Sequence, residues 1–372
     1  MIEYYSFGEV FRYCKKSGVK AGEGSKVGRY PFFTSSDILS KRIDKYNYEK
    51  PSLIFGTGGS ASIHFCEEYF STSTDCLVTQ PIDYNNIYPK FVYYFFRSNF
   101  SLLEQGFKGA GLKHISKDYI SKLKIPLPPL PEQKRIADLL DKADSIRQKR
   151  KESIALMDEF MKSVFIDMFG DPVRNEKGWE EKKLKDVCIK INDGTHFSPP
   201  ITKIGIPYIT AKHVKINKLD FWSKPWFISK ESHMDIYKRC SPEQGDVLYI
   251  KDGATTGIAA INKYDFEFSM LSSLALLKVN KKILTSEYLC SWLNNEDVKR
   301  WNLEKMAGVA IKRLTLTKIE KLPIHIPPKD LQTQFAKIVE QTELTKSKME
   351  ESLREMDNQF GVLLQGAFRD GK

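Results

Sequence analysis

The chain has 372 residues, of which 41% are hydrophobic and 28% charged, with a formal net charge of +11. That length exceeds one ordinary core and suits two or three domains, and the balance excludes a disordered or fibrous chain. No apolar run is long enough to span a bilayer, and the N-terminal MIEYYSFGEVFRYCKK lacks the basic-then-apolar order of a signal peptide.

The six cysteines (Cys14, Cys66, Cys76, Cys188, Cys240 and Cys290) form no CxxC pair and show no metal spacing. They read as reduced thiols of a cytoplasmic protein with no membrane partner.

The first block, residues 1–130, reads as mixed α/β with short strands. Apolar runs fall at Tyr30-Pro31-Phe32-Phe33, Ser52-Leu53-Ile54-Phe55 and Asp75-Cys76-Leu77-Val78. A helix is expected over Lys90 to Leu103; its aromatic stripe reads as core in preference to a base-stacking platform.

Pro128, Pro129 and Pro131 then stop the chain, and residues 131–170 read as one long helix. A heptad frame puts Ile136, Ala143, Arg150, Met157 and Val164 at one seam position, and Leu139, Ile146, Ser153, Phe160 and Asp167 at the other. Phe169-Gly170-Asp171-Pro172 closes the helix.

Residues 171–329 form a second block. Its strands are expected at Ile206-Pro207-Tyr208-Ile209, Asp246-Val247-Leu248-Tyr249-Ile250 and Leu274-Ala275-Leu276-Leu277, with a helix over Ser286 to Val298. Pro327 and Pro328 introduce a second long helix over residues 330–372, with Asp330 as its N-cap. The same frame there gives Phe335, Thr342, Met349, Met356 and Leu363, then Ile338, Thr345, Ser352, Gln359 and Gly366.

The chain says one thing twice. Gly109 to Asp171 aligns without a gap on Gly308 to Asp370, an offset of 199, with 17 identities in 63 positions. The blocks before the helices echo each other too: Pro31-Phe32-Phe33-Thr34 stands where Pro207-Tyr208-Ile209-Thr210 stands. Gly56-Thr57-Gly58-Gly59 stands where Lys251 to Gly257 stands. The chain is two tandem copies of basic domain plus long helix. At 1.5 Å per residue each helix is about 58 Å long, and an antiparallel pairing of the two puts the blocks at opposite ends. All the positive excess lies in the blocks (+5 and +8), while the long-helix segments sum to −2. A polyanion touching both blocks explains that placement.

Enzyme motifs are poor. The Gly-rich loops lack the phosphate-binding GxxxxGK[ST] and the GxGxxG spacing. The six histidines contain no HxxxH pair. Ser198-Pro199-Pro200-Ile201 lacks the head and the aromatic of an adenine-gripping loop. Asp118 with Glu132-Gln133-Lys134 permits a metal-dependent nuclease, but the second copy has Leu331 and Thr333 where Glu132 and Lys134 stand.

Nucleic-acid binding fits better. Lys20, Lys26 and Arg29 precede the first strand, and Ser35, Ser36, Lys41 and Arg42 follow it. In the second block Thr195, His196 and Lys203 precede, and Thr210, Lys212 and His213 follow. Lys251 and Thr255 lie in the glycine-rich loop. The repeat adds Lys108, Lys113 and His114, then Lys305, Lys312 and Arg313. Lys113 and Lys312, retained in both copies, suit phosphate contacts. Pairs that differ, such as His114 against Arg313 and Ser36 against Lys212, suit base readout.

With the tandem order in view, three motifs carry a resemblance: Gly178-Trp179-Glu180 with Leu184 and Val187; Asp193-Gly194-Thr195-His196; and Ile125-Pro126-Leu127-Pro128-Pro129-Leu130-Pro131-Glu132-Gln133, recurring as Ile324-His325-Ile326-Pro327-Pro328 with Gln332. The chain resembles the specificity (DNA-recognition) subunit of type I restriction–modification systems over nearly all its length.

The resemblance implies an α/β (α+β) fold: two tandem target-recognition domains with mixed, mostly antiparallel sheets, joined by two long antiparallel coiled-coil helices with a pseudo-twofold repeat. The helix-pair interface would be Ile136, Leu139, Ile146, Met157 and Phe160 against Phe335, Ile338, Met349, Met356 and Leu363. It implies a non-catalytic chain that binds double-stranded DNA at a bipartite asymmetric site. Its expected partners are two methyltransferase subunits and motor-nuclease subunits. No cofactor or metal is expected on this chain; S-adenosylmethionine belongs to the methyltransferase. A stand-alone DNA-binding scaffold or regulator remains the alternative.

Overall fold

A computed structural model describes residues 3–304 and 314–368. The chain divides into two compact units. The first is Met1–Glu152 with Met349–Lys372; the second is Ser153–Lys348. Both divisions fall inside a long helix, so each unit holds the start of one long helix and the end of the other.

In the first unit the order is β1 (Glu3–Ser6), α1 (Phe7–Val10), β2 (Phe11–Tyr13), β3 (Tyr30–Phe33), β4 (Lys41–Ile43), β5 (Ser52–Gly56), β6 (Ser62–Cys66), β7 (Ser71–Thr72) and β8 (Cys76–Pro81). There follow α2 (Pro89–Ser98), α3 (Ser101–Glu104), α4 (Lys117–Lys122), β9 (Lys124–Leu127) and the start of α5 (Leu130–Phe169). The second unit runs β10 (Glu180–Lys183), α6 (Leu184–Val187), β11 (Cys188–Asp193), β12 (Ile206–Ile209), β13 (Val214–Lys215), β14 (Lys218–Leu219), β15 (Phe227–Ile228), α7 (Lys230–Arg239), β16 (Val247–Ile250), β17 (Ala259–Ile261), β18 (Ser269–Met270) and β19 (Leu274–Val279). It closes with α8 (Ser286–Asn294), α9 (Glu296–Glu304), α10 (Leu316–Glu320), β20 (Pro323–Ile326) and the start of α11 (Lys329–Gly366).

The two units share one topology. Sheet order β2-β8-β5-β6 matches β11-β19-β16-β17, β4-β3-β7 matches β15-β12-β18, and β1-β9 matches β10-β20. Pairing is antiparallel except between β3 and β7 and between β12 and β18. The buried apolar runs are the middle strands: β5, β16 and β19 have no exposed residue. The aromatic stripe on α2 is core, with Phe91, Val92, Tyr94, Phe95 and Phe96 all buried. Unit two adds a hairpin, β13-β14, and the helix α7.

One tie recurs in both units. The Gln133 side chain is fully buried in the first turn of α5. Its Oε1 accepts from Tyr88 N at 2.9 Å, and its Nε2 donates to Asn86 O at 3.0 Å and Pro128 O at 2.7 Å. Gln332, also fully buried, accepts from Thr285 N at 2.9 Å and donates to Ile283 O at 3.1 Å and Pro327 O at 2.9 Å. Each glutamine thus fastens three segments that water no longer satisfies: the helix start, the prolyl strand before it, and the lead-in to the aromatic helix. The second copy has lost the proline and the glutamate beside it, yet keeps this tie whole.

The long helices are antiparallel within each unit. In the first, Arg147 donates from Nε to Asp357 Oδ1 at 2.7 Å, and Phe360 and Leu364 join the core with Ala137 and Leu140. In the second, Lys346 Nζ meets Asp158 at 2.6 Å, and the Phe165 and Phe169 rings contact Phe335 at 5.7 and 5.2 Å. Gly170, at φ +79°, takes the left-handed conformation that ends α5. Asp330 lies inside α11, which starts at Lys329, so it favours the helix dipole from the first turn and is not the cap.

The expected seam is half corrected. Ile136, Met157, Phe335, Ile338, Met349 and Met356 are buried or half-buried. Leu139, Ile146 and Phe160 are exposed at 48, 54 and 53%, and Leu363 at 40%. The second line runs one residue later, through Leu140, Arg147, Ile154 and Met161, and through Val339, Lys346, Leu353 and Phe360. The step after Ile136 is four residues, not three. Arg147 disguises this, because its charge is met by Asp144 and Asp357 and its face by the Phe360 ring at 4.3 Å.

Replacing Gln133 or Gln332 by Ala should cost about 1–3 kcal/mol, because buried backbone groups lose their partners. Urea unfolding of the full chain checks this; a change below about 0.5 kcal/mol would remove the tie from the account of the fold.

Candidate nucleic-acid interface

In unit one the structure brings Ser35, Lys113 and His114 to the glycine-rich loop that follows β5. Ser35 Oγ accepts from Thr57 N at 3.1 Å and Gly58 N at 3.3 Å, and donates to Asp75 O at 2.6 Å. The repeat loop docks on the same place. Ile115 N donates to Thr57 O, Gly59 N to Lys113 O, and the His114 ring lies 3.1 Å from Thr57 O. Lys108 and His114 exchange backbone hydrogen bonds, leaving the Lys108, Lys113 and His114 side chains exposed. Ser36 O meets His64 Nε2 at 2.7 Å.

Lys20, Lys26, Arg29 and Arg42 are exposed, while Lys41 is half-buried. Two of these cations are engaged by backbone. Arg42 donates to Gly28 O and Arg29 O, and Lys41 Nζ to Ala21 O.

Unit two repeats the docking: Leu314 N donates to Lys251 O at 2.8 Å, as Ile115 N does to Thr57 O. Lys305, Lys312 and Arg313 lie outside the described residues. His196, Lys203 and Thr255 are exposed, and Lys212 is half-buried against the Trp226 ring.

Four expected contacts are corrected, because they are buried. Lys251 is 3% exposed, with its Nζ 3.3 Å from the equally buried Asp193, which also takes Arg239 Nη2 at 2.8 Å. Thr195 is tied at both backbone ends, N to Met270 O and O to Ser272 N. Thr210 and His213 pack together: His213 Nδ1 accepts from Thr210 N at 3.0 Å, which leaves Nε2 to donate to Lys224 O at 3.0 Å. Asp193-Gly194-Thr195-His196 is therefore mainly a structural corner. A Cβ on Gly194 would run into the Met270 carbonyl.

Sequence reasoning missed the exposed Trp222, Trp226, Ile38 and Leu39 that border these residues. The signal was present in Asp220-Phe221-Trp222-Ser223-Lys224-Pro225-Trp226, a tight aromatic and basic cluster with no helical or strand period.

Among the described residues no group of three or more His, Cys, Asp or Glu could hold a metal ion, and no helix is long and apolar enough to cross a membrane. The cysteines are unpaired. Burial raises the Cys66 and Cys76 thiols to about 11 and Cys188 and Cys240 to about 12, which leaves them protonated and inert at neutral pH.

A family model described as the type I restriction modification DNA specificity domain matches residues 2–156 and, again, residues 176–355. The chain belongs to this family and carries its domain twice. It is 26% identical over 296 residues to the type I restriction enzyme MjaIX specificity subunit of Methanocaldococcus jannaschii, covering 69% of this chain and 64% of that protein. It is 27% identical over 171 residues to the MjaVIII specificity subunit of the same organism, covering 42% and 40%. The matches span less than two thirds of either relative. The crystal structure of the type I restriction–modification S subunit from M. genitalium has the same fold, with a TM-score of 0.65 at 17% identity, covering 99% of this chain and 96% of that one.

Two measurements separate structural from surface roles. Lys251→Ala should destabilise the full chain by about 3 kcal/mol or more, since it strips Asp193 of a buried partner. Burial holds the His213 imidazole below its ordinary pKa. The unfolded ring takes up a proton near pH 6.5 while the folded one resists, so stability falls as pH drops below that value. His213→Gln should flatten part of this dependence between pH 7.5 and 5 in urea unfolding; an unchanged slope would contradict the buried neutral ring.

Proposed function

We propose that this chain is the DNA-recognition subunit of a type I restriction–modification complex. Each unit reads one half of a bipartite, asymmetric DNA site. The chain performs no chemistry itself; it scaffolds two adenine-N6 methyltransferase subunits that carry S-adenosylmethionine, with motor-nuclease subunits joining for cleavage. The observation that carries this reading is one frame built twice around different loops. The glutamine tie, the loop docking at Thr57 and Lys251 and the sheet order all repeat, while the docked loops keep one lysine, Lys113 or Lys312, and differ beside it, His114 against Arg313. A retained frame suits two like partners, and divergent surfaces suit two unlike half-sites.

The two continuous helices act as a ruler in this proposal. Adding or removing the same number of turns in α5 and α11 should change the tolerated spacer and leave both half-sites alone. Lys113, exposed beside the glycine-rich loop, serves a phosphate. Lys113→Ala should weaken DNA binding for all sequences and lower the salt slope by about one; a sharp change of sequence preference would contradict that role.

The deciding experiment is a genome-wide map of N6-methyladenine in the host, with and without the chain, together with co-purification. The proposal expects split motifs that vanish on deletion and a stable complex with methyltransferase subunits. DNA binding with neither would favour a stand-alone scaffold or regulator.

A further inference from the structure

In each unit the first strand of the small sheet, β3 or β12, leads into a connection before its antiparallel neighbour, β4 or β15. These connections are residues 34–40 and residues 210–226. Both expose large apolar side chains: Ile38 at 67% and Leu39 at 46% in the first, Trp222 at 60% and Trp226 at 38% in the second. Scattered exposed apolar residues need no explanation. The same placement in two copies of one frame, with no sequence identity between the side chains, does.

Both connections are held firmly. In unit one, Ser35 is hydrogen-bonded to the glycine-rich loop on which Lys113 and His114 dock, and Ile38 N is capped by Ser36 Oγ at 3.2 Å. In unit two, His213 fastens the arm by accepting from Thr210 N and donating to Lys224 O, and Asp220 N donates to His213 O at 2.7 Å. Tyr264 braces it from below, its hydroxyl donating to Leu219 O at 2.9 Å and taking Phe221 N at 3.2 Å. Burying imidazole and hydroxyl to hold two tryptophans in water fits a preformed contact surface.

The neighbouring charge selects the occupant. Lys212 lies over the Trp226 ring and near enough to Lys224 to feel its charge, and neither ammonium has a carboxylate partner among the described residues. Two ammoniums beside two indoles suit a polyanion that also presents apolar edges, which is what a DNA groove offers: phosphates on the rim, base edges and thymine methyls within.

We infer that these two connections are the specificity-determining contacts, with Ile38 and Leu39 reading one half-site and Trp222 and Trp226 the other by apolar contact with bases. Lys212 and Lys224 hold the flanking phosphates, and His213 is a positioning residue for the arm. The inference rests on the DNA-recognition reading above and deepens it. The connection of unit two is the longer and carries its own hairpin, so the two half-sites are unequal in this reading.

The test uses the tagged full chain purified from its host with whatever subunits accompany it, and selection of bound sequences from a random duplex pool. Ile38→Ser with Leu39→Ser should relax discrimination about tenfold or more at positions in one half-site and leave the other intact. Trp222→Ala with Trp226→Ala should do the same to the opposite half only. The intact half reports that the chain is folded. The inference is overturned if both double variants keep the original preference throughout, or if either blurs both halves equally. It is also overturned if a variant that binds nothing is matched by an equally inactive Val (Ile38, Leu39) or Phe (Trp222, Trp226) version. A wild-type chain that selects no sequence at all would instead defeat the functional reading on which this one stands.

Discussion

The interaction on which the rest of this structure depends is a buried glutamine amide used twice. Gln133 and Gln332 each satisfy three backbone groups from two separate segments and join both to the start of a long helix. An amide is suited to this because it accepts and donates at once and carries no charge to desolvate. A glutamate could accept but not donate, and would bring the cost of a buried charge. By fixing where each long helix leaves its domain, the tie sets which helix face meets the core and where the prolyl strand lies. It is also the point at which two strongly diverged halves remain chemically the same.

From that start each long helix serves two units in turn. The start of α5 packs in unit one and its end in unit two, and α11 does the reverse. Phe169 stacks edge-on with Tyr288 at 4.7 Å, and Phe368 lies against Phe91 at 5.3 Å, so both ends of the repeat terminate on an aromatic helix. Neither unit can complete its core without the far end of a helix that began elsewhere. Polar pairing at Arg147, Asp144 and Asp357 lies along the same seam as the apolar contacts, which suits a pair that needs register as well as adhesion.

The charge pattern has a matching physical division. Residues inside the frame that carry charge are paired or hydrogen-bonded: Asp193 with Lys251 and Arg239, Lys90 with Asp141, Lys278 with Asp246. Burial cost enforces this. Cations that face water on loops, such as Lys26, Lys113 and Lys203, can change without cost to the core. A surface free to diverge on a frame that is not free is the condition for recognising different sequences with one architecture.

Sequence alone determined the duplication, the two blocks, the two long helices, the strands at β3, β5, β8, β12, β16 and β19, and the helices that begin at α2 and α8. Each of these leaves a local or periodic trace, in prolines, heptads and short apolar runs. Tertiary structure decided the rest. The second seam line moved by one residue, because Leu139 and Leu140 are equally apolar and only the partner helix distinguishes them. Lys251, Thr195, Thr210 and His213 turned inward, because a charge or hydroxyl is buried wherever a partner waits, and partners such as Asp193 are far away in sequence. Ile38, Leu39, Trp222 and Trp226 turned outward for the complementary reason: a residue type states a preference, but only the assembled neighbours decide whether water is excluded.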